Sequence, residues 1–264
     1  MEDDKGQVQS GAAQVYEDFF VPALFLEWAP RVADAAGIVG GQRVLDIACG
    51  TGVLAREAAG RVGAASVCGL DRNPAMLEVA RRVQPEVEWR LGRAEELPFD
   101  AESFDVVVSQ FGLMFFDDPV LALREMRRVL RPGGQLAVAV WGSLEVSPGY
   151  AALAALLERL FGERIALELR SPFRLGDPAF LGSILTQAGL AGATIDTVTG
   201  AARFPSLTSW LHTDVRGWTL ADKIDDRQFE LLQREAVGAL GRFVDGDGRV
   251  VFTIPAHVAT ARKS

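Results

Sequence analysis

Cysteine is scarce: the 264 residues contain two, Cys49 and Cys68. So few build neither a disulfide framework nor a multi-cysteine zinc site, and no metal site is expected. Histidine is as rare, at His212 and His257. No apolar run approaches the roughly 20 residues that cross a bilayer, and the start of the chain has no signal-peptide pattern. An excess of positive charge is missing too. The 27 Lys and Arg stand against 35 Asp and Glu, a net charge of −8, and such a surface repels phosphate backbones and anionic lipid. Nucleic acid and membranes are therefore poor partners. Internal repeats and low-complexity tracts are absent as well. With 49% hydrophobic and 23% charged residues, the composition suits a globular chain with a sizeable core. The expectation is a protein of a reducing cytoplasm, monomeric or homodimeric, built on one α/β domain with insertions.

What is present is a rhythm of short apolar strands and helices. Residues 1–10 are polar and read as a tail. Ala12 to Ala36 reads as helix, cut into pieces by Pro22 and Pro30, and is rich in aromatics: Tyr16, Phe19, Phe20, Phe25 and Trp28. Strands follow at 43–48, 66–71, 87–91, 103–109 and 135–141. Helices link them, one opened by Asn73-Pro74 and another by Asp118-Pro119, each a cap residue followed by the proline that fits the first turn. Strands joined by helical crossovers imply a parallel sheet covered on both faces. After Trp141 the pattern changes to helices at 150–161, from Asp177-Pro178 to Gly189, at 206–218 and at 228–240. An alternating strand at 193–198 and a last extended segment at 249–261 complete the chain. Pro255 in that segment lacks a donor, so a bulge or a late start to pairing is expected there.

The first strand runs into Cys49-Gly-Thr-Gly52, and Gly50 to Ala55 satisfies a G-x-G-x-x-A dinucleotide fingerprint. Such a turn lets backbone approach a flat nucleoside closely. Asp71 ends the second strand, where its two oxygens can accept both hydroxyls of a ribose.

Val44-Leu-Asp-Ile-Ala-Cys-Gly-Thr-Gly52 resembles the first motif of class I S-adenosylmethionine-dependent methyltransferases. Gly69-Leu-Asp-Arg-Asn-Pro-Ala-Met-Leu77 is similar to their second-strand segment, and Gly92-Arg-Ala-Glu-Glu-Leu-Pro-Phe99 to their adenine loop. Ser103-Phe-Asp-Val-Val107 onward resembles the fourth-strand motif, and Arg128-Val-Leu-Arg-Pro-Gly-Gly134 the run into strand five. The likeness covers about residues 40–142; the rest resembles the quinone-biosynthesis and natural-product branches only loosely. It implies a Rossmann-like, doubly wound α/β sheet of about seven strands, the last antiparallel beside strand five, with helical caps. Residues 1–37 would be tail and lid helices and 38–142 the cofactor core. Residues 143–264 would complete the sheet, with cap insertions at 143–176 and 205–248.

The resemblance also implies S-adenosylmethionine as cofactor, held residue by residue. Asp46, Ala48, Cys49, Gly50 and Gly52 would line its methionine half, with Gln110 near the transferable methyl. Asp71 would hold the ribose, Arg72 and Met76 would lie against the adenine, and Ala94 and Glu95 would meet the adenine edge. Where many relatives carry an aspartate this chain has Arg93, which cannot accept from the adenine amino group. Cys49 reads as a small filler rather than a nucleophile.

The expected activity is in-line methyl transfer to a small apolar or aromatic metabolite, because the segments outside the core are rich in Leu, Ala, Phe and Trp. Tyr16, Phe20, Met114 and Trp210 are the expected substrate wall, and His212 in the late insertion is the candidate base. Two other readings stay open. One is a cofactor-binding protein of this fold that acts as a pericyclase, a decarboxylase or a regulator. The other is a nicotinamide oxidoreductase, although no Tyr-x-x-x-Lys pair is available for carbonyl reduction.

Overall fold

The structure is a computed structural model that describes residues 10–217, 220 and 222–264. The polar tail expected at 1–10 therefore lies almost wholly outside the described residues, as does Trp218, the expected end of the 206–218 helix. The N-terminal segment is helical from Ser10–Val15 (α1) through a π-helical stretch, Tyr16–Phe25, to Trp28–Ala35 (α2). Pro22 does not break it. It lies inside the wider π turns, where the Leu26 amide bonds back to the Val21 carbonyl at 2.8 Å. Pro30 falls in the first turn of α2, where amides have no intrahelical partner to lose.

Strands β1 (Val44–Ile47), β2 (Val67–Asp71), β3 (Glu88–Leu91), β4 (Phe104–Gln110) and β5 (Leu130–Trp141) alternate with helices α3 (Val53–Val62), α4 (Pro74–Val83) and α5 (Pro119–Val129). The Asn73 side chain caps α4 by accepting from the Ala75 amide, and Asp118 caps α5 by accepting from Leu121. Helices α6 (Pro148–Phe161), α7 (Glu163–Arg170) and α8 (Pro178–Gln187) lead to β6 (Thr194–Phe204). Helices α9 (Leu207–Arg216) and α10 (Asp226–Leu240) then precede β7 (Val250–Arg262).

The sheet has seven strands in the order β3-β2-β1-β4-β5-β7-β6. Neighbouring strands from β3 to β5 pair in parallel, and β7 runs antiparallel between β5 and β6, as expected. β6 is longer than its alternating 193–198 stretch suggested, because β7 pairs with it in unbroken register from Thr194↔Thr260 to Phe204↔Val250. Pairing of β7 to β5 starts only at Ala256↔Trp141, so the missing donor of Pro255 falls where no β5 partner stands. Helix α7 was not read from the sequence. The core is continuous across both faces, from Trp28 and Val32 through Leu45, Val107 and Val138 to Leu157 and Leu232. Among the described residues no helix is long and apolar enough to cross a membrane.

Candidate functional site

The carboxyl ends of β1, β2 and β4 converge on the glycine turn that follows β1. The turn needs left-handed backbone at Ala48 (φ 55°), Gly50 (φ 54°) and Gly52 (φ 91°), which glycine adopts without penalty. Gly52 is doubly constrained. A Cβ there would lie 2.3 Å from the Trp89 ring, which also covers Gly69. Asp71 ties the end of β2 to this turn: its Oδ2 accepts from the Gly50 amide at 2.8 Å, and its Oδ1 accepts from the Asn73 amide at 2.8 Å. Each oxygen keeps a second lone pair.

Asp46 is 1% exposed, and its Oδ2 has no hydrogen-bond partner. Burial pushes its acid up to about 8, against the pull of the Ala55 amide, with the nearby Asp71 charge adding to the rise. Asp71 is raised from the usual carboxylate range by burial, partly offset by the amides it accepts from. Burial, with the Asp71 and Asp46 charges, also lifts the Cys49 thiol well above its ordinary value.

The N-terminal segment covers this turn. The Tyr16 ring lies over Gly50, 3.6 Å from the position a Cβ would take. Burial and the Asp71, Glu17 and Asp46 charges raise its phenol. Beside it, Arg56 of α3 donates to the Thr51 carbonyl at 2.7 Å and pairs with Glu17 at 2.8 Å, joining the turn to its cover. Met76 packs with Ala13, Val79 and Tyr16. Gln110 donates to the Phe25 carbonyl at 3.1 Å, while its own Oε1 is buried and unpartnered. An aromatic stack continues from there: the rings of Phe111 and Trp141 stack at 3.6 Å, and Phe25 approaches them at 5.7 and 6.0 Å.

On the far side of Asp71, Asp117 organises the loop after β3. It pairs with Arg93 at 2.7 Å and Arg72 at 3.7 Å, and its amide donates to Glu95 at 3.0 Å. Ala94 is buried in this loop. Arg128 braces the loop from below, donating to the Leu97 and Phe99 carbonyls and to Glu125. Sequence reasoning missed Asp117, Arg56, Glu17 and Trp89. For Asp117 a signal existed: of two adjacent acids before a proline, only one is needed as the cap.

The expected substrate wall divides. Phe20 is fully buried against Tyr16 and Phe25. Met114 is buried core, and Trp210 packs on Phe204 and Phe252. His212 corrects the expectation of a base. It is exposed on the outer face of α9, its ring 6.4 Å from Phe229 of α10, because the inner face is taken by Trp210, Thr213 and Asp214. His257 is structural. Its Nε2–H donates to the Gly176 carbonyl at 2.9 Å, and its Nδ1 lies 2.9 Å from the Thr197 hydroxyl.

Residues 45–138 match the family model described as Methyltransferase domain. The demethylmenaquinone methyltransferase of Renibacterium salmoninarum is 45% identical over 112 residues, 42% of this chain and 46% of that protein, so the match spans under half that relative's length. The ubiquinone/menaquinone biosynthesis C-methyltransferase UbiE of Hahella chejuensis is 34% identical over 209 residues, 72% of this chain and 80% of that protein. In fold, the chain is similar to the crystal structure of the YcgJ protein from Bacillus subtilis, with a TM-score of 0.62 at 20% identity, covering 90% of this chain and 98% of that one. Motifs, sheet order and these likenesses agree: the chain belongs to the class I S-adenosylmethionine-dependent methyltransferases, in the branch that includes the quinone-biosynthesis enzymes.

Proposed function

We propose that the protein transfers the methyl group of S-adenosylmethionine to a small apolar or aromatic metabolite. One juxtaposition carries this reading: two buried carboxylates, Asp46 and Asp71, meet a glycine turn beside the Phe25–Phe111–Trp141 stack. The residues fit the cofactor. The unpartnered Asp46 Oδ2 suits the cationic methionine end, and the free lone pairs of Asp71 suit a ribose diol. Glycine at 50 and 52 lets the turn keep the left-handed backbone that brings the Gly50 amide to Asp71 at the end of β2. Arg93 is spoken for by Asp117, so the adenine would be held by packing and by the backbone around Ala94.

When bound, the cofactor supplies an electrophilic methyl on a sulfonium. This chain's part is to position and to exclude water. Tyr16 would close over the methionine half, with Arg56 and Glu17 holding its segment down. The flat faces of Phe25, Phe111 and Trp141, at the carboxyl edge where ligands of open α/β sheets bind, would favour a ring-bearing acceptor. Two relatives, a demethylmenaquinone methyltransferase and a ubiquinone/menaquinone biosynthesis C-methyltransferase, support such a ring.

The test incubates the protein with tritiated-methyl S-adenosylmethionine and a panel of reduced quinone-type and other aromatic acceptors. Label in an organic-extractable product is the expected result. Calorimetry should show binding of S-adenosylhomocysteine and none of NADH; the reverse would overturn the reading.

A further inference from the structure

Three aspartates are buried among the described residues: Asp46, Asp71 and Asp214. The first two serve the glycine turn, and the third has no assigned task. Asp214 is 4% exposed on the inner face of α9, and no cation pairs with it among the described residues. The group that reaches it is the Tyr150 hydroxyl from the first turn of α6, 3.4 and 3.5 Å from its two oxygens.

Its place in the fold is informative. Trp210, Asp214 and Gly217 lie four and three residues apart and share one helix face. At one end of that face a Cβ on Gly217 would lie 3.0 Å from the Phe20 ring, whose centroid is 5.8 Å from Tyr16 over the glycine turn. At the other end Trp210 meets Phe252 at 4.8 Å. Phe252 stands four residues beyond Ala256, the last β7 partner of β5, or about 13 Å along the strand. Because β7 is antiparallel, this puts Asp214 above the carboxyl edge of the sheet, one helical turn from the lid. Phe173, Phe204 and Phe252 around the pair are uncharged. Burial lifts the Asp214 acid to about 7, partly offset by the neighbouring Trp210 and Tyr150 side chains, with no charged neighbour contributing. A base poised near neutrality suits proton transfer at working pH; His212 faces outward from α9, and both ring nitrogens of His257 are engaged.

We propose that Asp214, oriented by Tyr150, is the proton acceptor of the methyl-acceptor pocket, and that the acceptor therefore carries a phenol- or enol-type hydroxyl. The proposal rests on the methyltransferase reading above. In the step, the acceptor O–H bond breaks, the proton passes to an Asp214 carboxylate oxygen, and the electron pair stays on the acceptor oxygen. The resulting anion is the nucleophile, or activates a ring carbon, for the methyl of S-adenosylmethionine. Asp214 afterwards releases its proton to solvent. Tyr150 donates to the charged carboxylate and is a positioning residue.

Asp214→Asn and Tyr150→Phe test this in the full chain, with retained S-adenosylhomocysteine binding as the control for folding. The protein loaded with S-adenosylhomocysteine should bind 2-naphthol about tenfold more tightly than either variant does, while 2-methoxynaphthalene, which lacks the hydroxyl, binds all three alike. With S-adenosylmethionine and 1,4-dihydroxynaphthalene, Asp214→Asn should lower kcat by about 10²–10⁴-fold and abolish an acidic limb near pH 7. Tyr150→Phe should move that limb to higher pH. No naphthol binding to the wild type, equal loss for both naphthalenes, or an unchanged pH profile in Asp214→Asn overturns the proposal. Absent methyl transfer with intact, Asp214-dependent naphthol binding would instead count against the methyltransferase reading.

Discussion

Asp71, the last residue of β2, accepts a 2.8 Å hydrogen bond from the amide of Gly50, in the turn that follows β1. One carboxylate thereby joins two strand ends. The same residue is both clamp and candidate ribose ligand.

Asp71→Asn should therefore weaken S-adenosylhomocysteine binding by about 1.5–3 kcal/mol, the usual loss for a hydrogen bond to a charged group. Titration calorimetry reads it directly. An unchanged dissociation constant in a folded variant removes Asp71 from the site.

The packing of Trp89 across the glycines predicts a stability effect without any ligand. Gly52→Ala places a methyl 2.3 Å from that ring at a φ of 91°. Overpacking of this kind costs about 1–3 kcal/mol, and the left-handed backbone adds roughly 1 kcal/mol more. Denaturant unfolding should show the loss, and Trp89→Leu in the same chain should recover part of it.

Asp46 makes stability depend on pH. Its acid is raised to about 8 in the folded protein and lies near about 4 when unfolded. Between those values the folded state holds a proton that the unfolded state has lost, so stability falls as pH rises and levels off above about 8. Asp214, raised to about 7, acts with the same sign. Thermal melts of the ligand-free protein from pH 5 to 9 should show the decline, and Asp46→Asn should flatten it. S-adenosylmethionine should offset the decline more than S-adenosylhomocysteine, because only the sulfonium is positively charged. Equal effects of the two ligands would place Asp46 away from the sulfur.

Tyr16 lies on Gly50 as a cover, so Tyr16→Ala should speed release of S-adenosylhomocysteine by about tenfold, equivalent to about 1.4 kcal/mol if the on-rate is unchanged. Stopped-flow displacement measures it. An unaltered off-rate would mean that the N-terminal segment does not gate the site.

The sequence by itself determined the parallel half of the fold. Apolar strands, Asn73-Pro74 and Asp118-Pro119 caps and the glycine turn are local signals, each set by neighbours within a few residues. The same holds for Asp46 and Asp71, whose place at strand ends follows from the strands themselves. Tertiary structure decided the rest, because those features depend on groups far apart in the chain. Which face of α9 turns inward was not legible: His212, the expected base, faces outward, while Asp214, two residues on and on the opposite side of the helix, faces inward. Trp89 reaches glycines 37 and 20 positions earlier, and Arg56 meets Glu17 across 39 residues. Spacing along a chain reports a helix or a turn; it carries no record of which distant surface that element is pressed against.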